Sequence, residues 1–313
     1  MAPTTNQVGW IGLGSMGLAM ASNVQRYFQR EGKPALNIWN RTASRGTPLI
    51  ALGAVACDSI ASLVAGCDLI FISTSDDAAL VSIVDQILDV SNLDKKIVVD
   101  TTTVHPNTTR QTSNRLKGRG ASFIAAPVFG ATPAAESGSV LMAMGGPSDA
   151  VATVAPFGKG VIARDVMVVS DQPEKASMLK TLGNFIVAGT MEIIGEAQVL
   201  AEKSDLGTDT LERLLELNFP GVAHSSSVRM TQGQSPWSSL ELGIKDVQHG
   251  ITSAENSRTR LKVAEVALEN MMRAKAFSEA HGDRPLDSSS GYGTIRQDAG
   301  LDFESPFVKE RDA

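Results

Sequence analysis

Lys180 and Asn184 stand four residues apart in the run M-L-K-T-L-G-N-F. On a helix that spacing puts both side chains on one face, with their Cβ atoms about 5–6 Å apart. Their neighbours Met178, Leu179, Leu182, Phe185 and Ile186 are apolar. A lysine on a partly buried face is costly unless it is paired or used. Its ammonium can give a proton to an oxygen, and burial would draw its pKa down towards a working pH. Asn184 can orient the lysine or a substrate oxygen. A lysine with its stem along the helix edge and its head in water has the same spacing. The place of this helix, directly after a candidate cofactor domain, separates the two readings.

That domain announces itself at Val8–Met20, V-G-W-I-G-L-G-S-M-G-L-A-M. The apolar run Val8 to Ile11 reads as a buried strand, and Leu18 to Phe28 as a helix. Between them Gly12, Gly14 and Gly17 fit G-x-G-x-x-G, with strand before and helix after, as a dinucleotide site requires. Gly12 would allow the tight turn, Gly14 the approach of a pyrophosphate, and Gly17 close packing of helix on strand. The phosphates would rest on free N–H groups at the helix start, so Leu13, Ser15 and Met16 join the glycines as candidate cofactor contacts. A glycine-rich turn opening any α/β domain is the competing reading.

The second strand candidate, Ala35 to Trp39, ends in W-N-R-T-A-S-R with no carboxylate. An Asp or Glu there would bind the ribose 2′-hydroxyl of NAD. Asn40 and Thr42 can hydrogen-bond without repelling an anion, and Arg41 can pair with a 2′-phosphate. The expectation is NADP(H) over NAD(H).

Further strands are expected at Ala54–Ala56, Asp68–Ser73, Ile97–Asp100, Ser122–Ala125, Val140–Met144 and Val166–Val169. Helices are expected at Asp77–Val90 and Pro106–Leu116. Such alternation implies a parallel sheet covered on both faces. After Pro173 strand signals cease. Glu174–Ser204 reads as one long helix, followed by helical Asp209–Leu217, with Asp209 as N-cap, and helical Asp246–Phe277. Pro220–Pro236 reads as a connecting segment and the tail from Gly282 as loop. The fold class is therefore α/β, an N-terminal Rossmann-like domain over residues 1–172 followed by an all-α domain over 173–313.

Composition narrows the partners. A formal net charge of -6 argues against nucleic acid. Cys57 and Cys67 give no disulfide framework and read as buried apolar residues. The four histidines, His105, His224, His249 and His281, match no metal-binding spacing. No apolar run reaches about 18 residues, and the N-terminus does not read as a signal peptide, so a soluble cytoplasmic protein is expected.

Five segments in register resemble the β-hydroxyacid dehydrogenase family, which includes 3-hydroxyisobutyrate dehydrogenase. The family's G-L-G-x-M-G-x-x-M is similar to Gly12–Met20. Its D-x-S-T-x-x-P corresponds to Asp100–Pro106, with Thr102 for serine. Its A-P-V-S-G-G substrate loop corresponds to Ala126–Ala131, its K-x-x-x-N pair to Lys180 and Asn184, and its late K-D pair to Lys245 and Asp246. The resemblance covers nearly the whole chain. It implies that Lys180 is the general acid/base and Asn184 its partner, in a cleft between a Rossmann-like and an all-α domain. Thr74, Thr102 and Thr103 would lie on the cofactor side, Lys245 would help close the site, and Asp246 would face substrate. A homodimer or homotetramer is implied.

The substrate loop departs from the pattern: Phe129 replaces Ser and Ala131 replaces Gly. Phe129 cannot hold a carboxylate as a serine hydroxyl can. Backbone N–H groups of Gly130, Ala131 and Thr132 remain available, and the Thr132 hydroxyl could compensate. Phe129 either adds an apolar wall to the pocket or turns into the core. His105 lies on a loop near the expected nicotinamide, His224 and His249 in the second domain; solvated or structural roles fit all three. Asp246 also fits a placement near a helix N-terminus. Related imine reductases share the fold and prefer NADPH, but typically place Asp or Tyr where this chain has Lys180. Reduction of C=N is therefore the alternative to carbonyl/alcohol chemistry, and a non-catalytic NADPH-binding module a further one. 6-Phosphogluconate dehydrogenase, a distant relation in fold, carries a C-terminal region longer than these 313 residues allow.

Overall fold

The computed structural model describes residues 7–233, 239–282 and 285–312. The chain divides into two compact units, Met1–Lys180 and Thr181–Ala313. The first unit runs β1 (Val8–Ile11), α1 (Ser15–Glu31), β2 (Asn37–Trp39), α2 (Thr47–Ala51), β3 (Val55–Ala56), α3 (Ile60–Gly66), β4 (Leu69–Ile72) and α4 (Asp77–Leu88). It continues through β5 (Ile97–Asp100), α5 (Pro106–Lys117), β6 (Ser122–Ala125), β7 (Val128–Phe129), α6 (Thr132–Glu136), β8 (Val140–Gly145), α7 (Ser148–Val154) and β9 (Ala163–Ser170). The strands form one sheet in the order β3-β2-β1-β4-β5-β6-β8-β7, with β9 paired to β8.

Strands β1 and β4, V-G-W-I and L-I-F-I, are buried at every position because helices cover both faces of the sheet. Period-two alternation then sorts their side chains. Trp10, Phe71, Val99 and Ile124 enter one core, and Ile11, Ile70, Ile72, Val98 and Phe123 the other. The Trp10 and Phe71 rings stack with centroids 4.8 Å apart. β1 pairs in parallel with β2 on one side and β4 on the other. The strand order therefore reverses at the carboxyl end of β1, where open α/β sheets bind ligands.

The sheet is not parallel throughout. β8 runs antiparallel to β6, β7 antiparallel to β8, and β9 parallel to β8 and so opposite to β6. The sequence reading has no β7, because a two-residue strand leaves no periodicity. It also lacks α2, α3, α6 and α7, each of five or seven residues.

Helix α8 (Pro173–Lys203) carries the chain from the first unit into the second. The second unit adds α9 (Thr208–Asn218), α10 (Val222–Gln232), α11 (Leu240–Asn256), α12 (Lys262–His281), α13 (Gly291–Asp298) and α14 (Pro306–Asp312). Four expectations are corrected here. The segment read as a connection is helix α10 up to Gln232; residues 234–236 of that reading lie outside the described residues. Its serines are paid for by partners: Ser227 is fully buried and donates to Glu212. The tail holds two helices, and Arg296 of α13 is buried against Glu202 and Tyr292, a long-range pairing that no local pattern announces. The helix expected over Asp246–Phe277 is two, α11 and α12, broken where Arg258 adopts φ 56°. The N-cap of α9 is Gly207, with Asp209 in its first turn. No helix among the described residues is long and apolar enough to cross a membrane.

Candidate active site

The corner after β1 is shaped by glycines. Gly12 has φ +94°, and a Cβ there would lie 2.0 Å from the Ser73 carbonyl oxygen. A Cβ on Gly17 would lie 2.3 Å from the carbonyl oxygen of Gly12, so helix and strand pack closer than any side chain allows. At Gly14, by contrast, a Cβ would enter open space beside the start of α1. That start has no side-chain cap and no acidic residue in its first turn. The N–H groups of Ser15, Met16 and Gly17 have no preceding turn to bond. Open space, unopposed helix dipole and free amides together fit a pyrophosphate. Leu13 lies otherwise: its side chain is in the core, and its N–H donates to Asn40 Oδ1 at 2.8 Å.

Asn40 has a structural role. Besides accepting from Leu13 it donates to the Thr42 carbonyl at 2.8 Å, which ties the end of β2 to the glycine turn. Arg41 and Thr42 are exposed beside it. Arg45, a second cation of this turn, is exposed as well.

The ends of β4 and β5 carry a tier of hydroxyls, of which the sequence reading gives a role to Thr74, Thr102 and Thr103 but none to Ser73 or Thr101. Ser73 bonds Thr101, whose hydroxyl also donates to the Ile72 carbonyl at 2.9 Å. The Thr102 hydroxyl is buried, accepts from the Thr74 N–H at 2.9 Å and lies 3.1 Å from its hydroxyl. The Thr102 N–H donates to the buried Asp100 carboxylate at 3.0 Å. Asp100 opens the D-T-T-T run that the sequence reading matches as a segment without giving Asp100 a role, and a carboxylate at a strand end is the signal for one. Thr103 is half-buried. His105 caps α5, its Nδ1 accepting from the Asn107 N–H at 3.1 Å.

The loop of residues 126–131 joins the glycine corner through α6. Asn23 of α1 donates to the Ala135 carbonyl at 2.8 Å, and Thr132 Oγ1 lies 3.8 Å from Met16 Sδ. Gly130 is exposed, Ala131 and Thr132 half-buried. Phe129 is half-buried, paired through its backbone with Leu141 and packed against the core of Ile11, Phe123 and Ala176. Lys180 Nζ stands 4.9 Å from the centroid of the Phe129 ring. The ring is thus rooted in the core, as one of the two readings of Phe129 has it, and it also lies against the lysine.

In the second unit, Asn184 donates to Asp246 Oδ2 at 2.8 Å, and Lys245 Nζ is paired with Asp246 Oδ1 at 3.0 Å. Asp246 lies well inside α11, so placement at a helix N-terminus does not explain it. His224 is paired with Glu212 at 3.0 Å. Sequence reasoning missed Glu192, a buried carboxyl that accepts from Asn270 at 2.5 Å and whose pKa burial pushes up. Cys67 is buried and its thiol is pushed up to about 11 by that burial, whereas Cys57 is only half-buried.

Residues 7–169 match the family model of the NAD binding domain of 6-phosphogluconate dehydrogenase. The NADH-dependent oxidoreductase ucdB of Aspergillus ustus is 29% identical over 297 residues, covering 93% of this chain and 99% of that protein. Glyoxylate/succinic semialdehyde reductase 1 of Arabidopsis thaliana is 27% identical over 288 residues, covering 87% of this chain and 93% of its own. Among solved structures, the 3-hydroxyisobutyrate dehydrogenase of Mycobacterium tuberculosis, with L-serine, superposes with a TM-score of 0.80 at 18% identity. That match covers 94% of this chain and 100% of that one. Fold and glycine corner define a nicotinamide-dinucleotide oxidoreductase. The chain belongs to the β-hydroxyacid dehydrogenase family.

Proposed function

We propose that the protein is an NADP(H)-dependent oxidoreductase that interconverts a small carbonyl compound, of semialdehyde type, and its β-hydroxyacid-like alcohol. The observation that carries this reading is the placing of the Lys180 ammonium against the substrate loop, at Phe129. A bound nicotinamide supplies or takes the hydride at its ring carbon. Lys180 gives a proton to the carbonyl oxygen as negative charge grows there, a contribution typically worth about 10²–10⁴-fold. Asn184, four residues on along the same helix, is the family-type partner of Lys180; its amide is held by Asp246, which Lys245 neutralises. The names of the Arabidopsis and Mycobacterium proteins, a semialdehyde reductase and a hydroxyisobutyrate dehydrogenase, agree with this substrate class.

Arg41 supports NADP(H): it is exposed at the turn after β2, where no carboxylate meets the ribose. The Aspergillus relative is named NADH-dependent, which makes the coenzyme ratio a sharp test. Arg41→Ala should raise KM for NADPH about tenfold and leave that for NADH nearly unchanged; a wild type that prefers NADH overturns the assignment. Reduction of a cyclic imine is the second reading, favoured by the loss of the loop hydroxyl at Phe129. Steady-state rates with NADPH on succinic semialdehyde and on a cyclic imine separate the two, and a faster imine reaction reverses the choice.

Self-association is part of the proposal. Leu182, Ile186, Ile193 and Leu200 lie exposed along α8, with Leu214 and Leu217 exposed on α9. A sizeable exposed apolar face of this kind marks a protein contact. Sedimentation should return a dimer or tetramer; a monomer at micromolar concentration contradicts it.

A further inference from the structure

We propose that Phe129 is a positioning residue for Lys180, its ring face fixing the ammonium from which the proton is delivered. The inference rests on Lys180 being the proton donor. Lysine has a flexible four-carbon stem, and a group that transfers a proton must be placed within hydrogen-bond reach of its target. Phe129 is suited to hold it. Its backbone is pinned in β7 opposite Leu141, and it packs against the core that includes Ala176 of α8, as Leu179 of the same helix also does. The ring therefore shares a core with the helix that carries the lysine. The 4.9 Å separation of Nζ from the ring centroid lies within the range of cation–π attraction.

A ring face differs from the other partners a lysine could have. A carboxylate would hold the ammonium by taking part in its hydrogen bonds and competing for its proton. An aromatic face attracts the charge and accepts no proton, so contact with the ring leaves the proton on the amine. The same exchange removes from position 129 the hydroxyl that could hold a substrate anion. In this chain the loop's side chain serves the lysine in place of the substrate.

Fluorinated phenylalanines at position 129 test this, because they weaken the negative ring face while nearly keeping its shape. Along the series from phenylalanine through mono- and difluoro- to trifluorophenylalanine, kcat with succinic semialdehyde and NADPH should fall stepwise to about a tenth. KM for NADPH should stay constant. Phe129→Leu should show a similar loss, and Phe129→Tyr should restore turnover. A flat series, or an equal loss in Leu and Tyr variants, overturns the proposal. A readout independent of turnover is the NMR signal of the ¹³C-methylated Lys180 amine, assigned by its disappearance in Lys180→Arg. Ring current should shift it upfield in the wild type and not in Phe129→Leu; an unshifted wild-type signal overturns the contact. Normal turnover in Lys180→Ala would remove the proton-donor reading itself, and the ring's role with it. A large loss there beside a flat fluorine series would remove only the ring's role.

Discussion

The glycine corner of the first unit and the polar core of the second are held together by different forces. The corner is a steric fit of backbone on backbone. Gly12 and Gly17 admit carbonyl oxygens where a Cβ would stand, and Asn40 ties the turn to β2. None of these groups titrates. The second unit buries ionisable groups: Arg296 against Glu202, Arg229 against Asp287, and the Glu192 carboxyl against the Asn270 amide. Added volume should therefore damage the corner, and altered charge or pH the helices.

The largest effect should come from Gly12→Ala. A methyl 2.0 Å from the Ser73 carbonyl oxygen, at φ +94°, forces the backbone to move. The expected cost is about 4 kcal/mol in chemical denaturation, with NADPH affinity at least about a hundredfold weaker. Gly14→Ala is its control. A Cβ there meets open space, so the variant should unfold like the wild type yet bind NADPH about tenfold more weakly. Equal stability losses in both variants would break the contrast between filled and open positions.

Arg296→Leu comes next. Arg296 is 2% exposed and bonds the Asp302 carbonyl at 2.8 Å as well as Glu202. Removing it leaves the Glu202 carboxylate without its cation, a loss of about 3 kcal/mol. A change below about 1 kcal/mol in urea unfolding would show that the pair contributes little.

Glu192→Gln should have the smallest effect and the opposite sign. Burial raises the Glu192 carboxyl above its ordinary value, so the folded state keeps a proton that the unfolded chain has released. The stability linked to that proton is present at low pH and declines as pH rises through the raised value. The amide mimics the protonated form and can still accept from Asn270. Variant and wild type should therefore melt together near pH 4, and the variant should be more stable by about 1 kcal/mol at pH 7.5. A variant less stable at both pH values would contradict the burial of an ionisable carboxyl.

The same difference in forces decides what could be read from sequence. β1, the glycines, β5 and α8 are local patterns, and β5 and β6 fall on the residues expected. The strand-turn-helix that positions a dinucleotide is spelled out in Val8–Met20 because its constraints act between neighbours in the chain. Asn40 reads as a neutral hydrogen-bonding residue after β2, and the partner that its side chain accepts from, Leu13, is 27 residues away. α10 and α13 were invisible for a related reason. Ser227 and Arg296 are poor helix signals until Glu212 and Glu202 are known to meet them. Lys180 was legible as a candidate by its spacing from Asn184, but the ring beneath its ammonium is a contact between residues 51 apart and leaves no periodic trace.

The most direct test of the account is Lys180→Ala, measured twice on the same preparation, by NADPH titration in fluorescence and by single-turnover reduction of succinic semialdehyde. The account predicts a Kd for NADPH within about twofold of the wild type and a rate lower by about 10²–10⁴-fold. A variant that binds NADPH and turns over at the wild-type rate would contradict it.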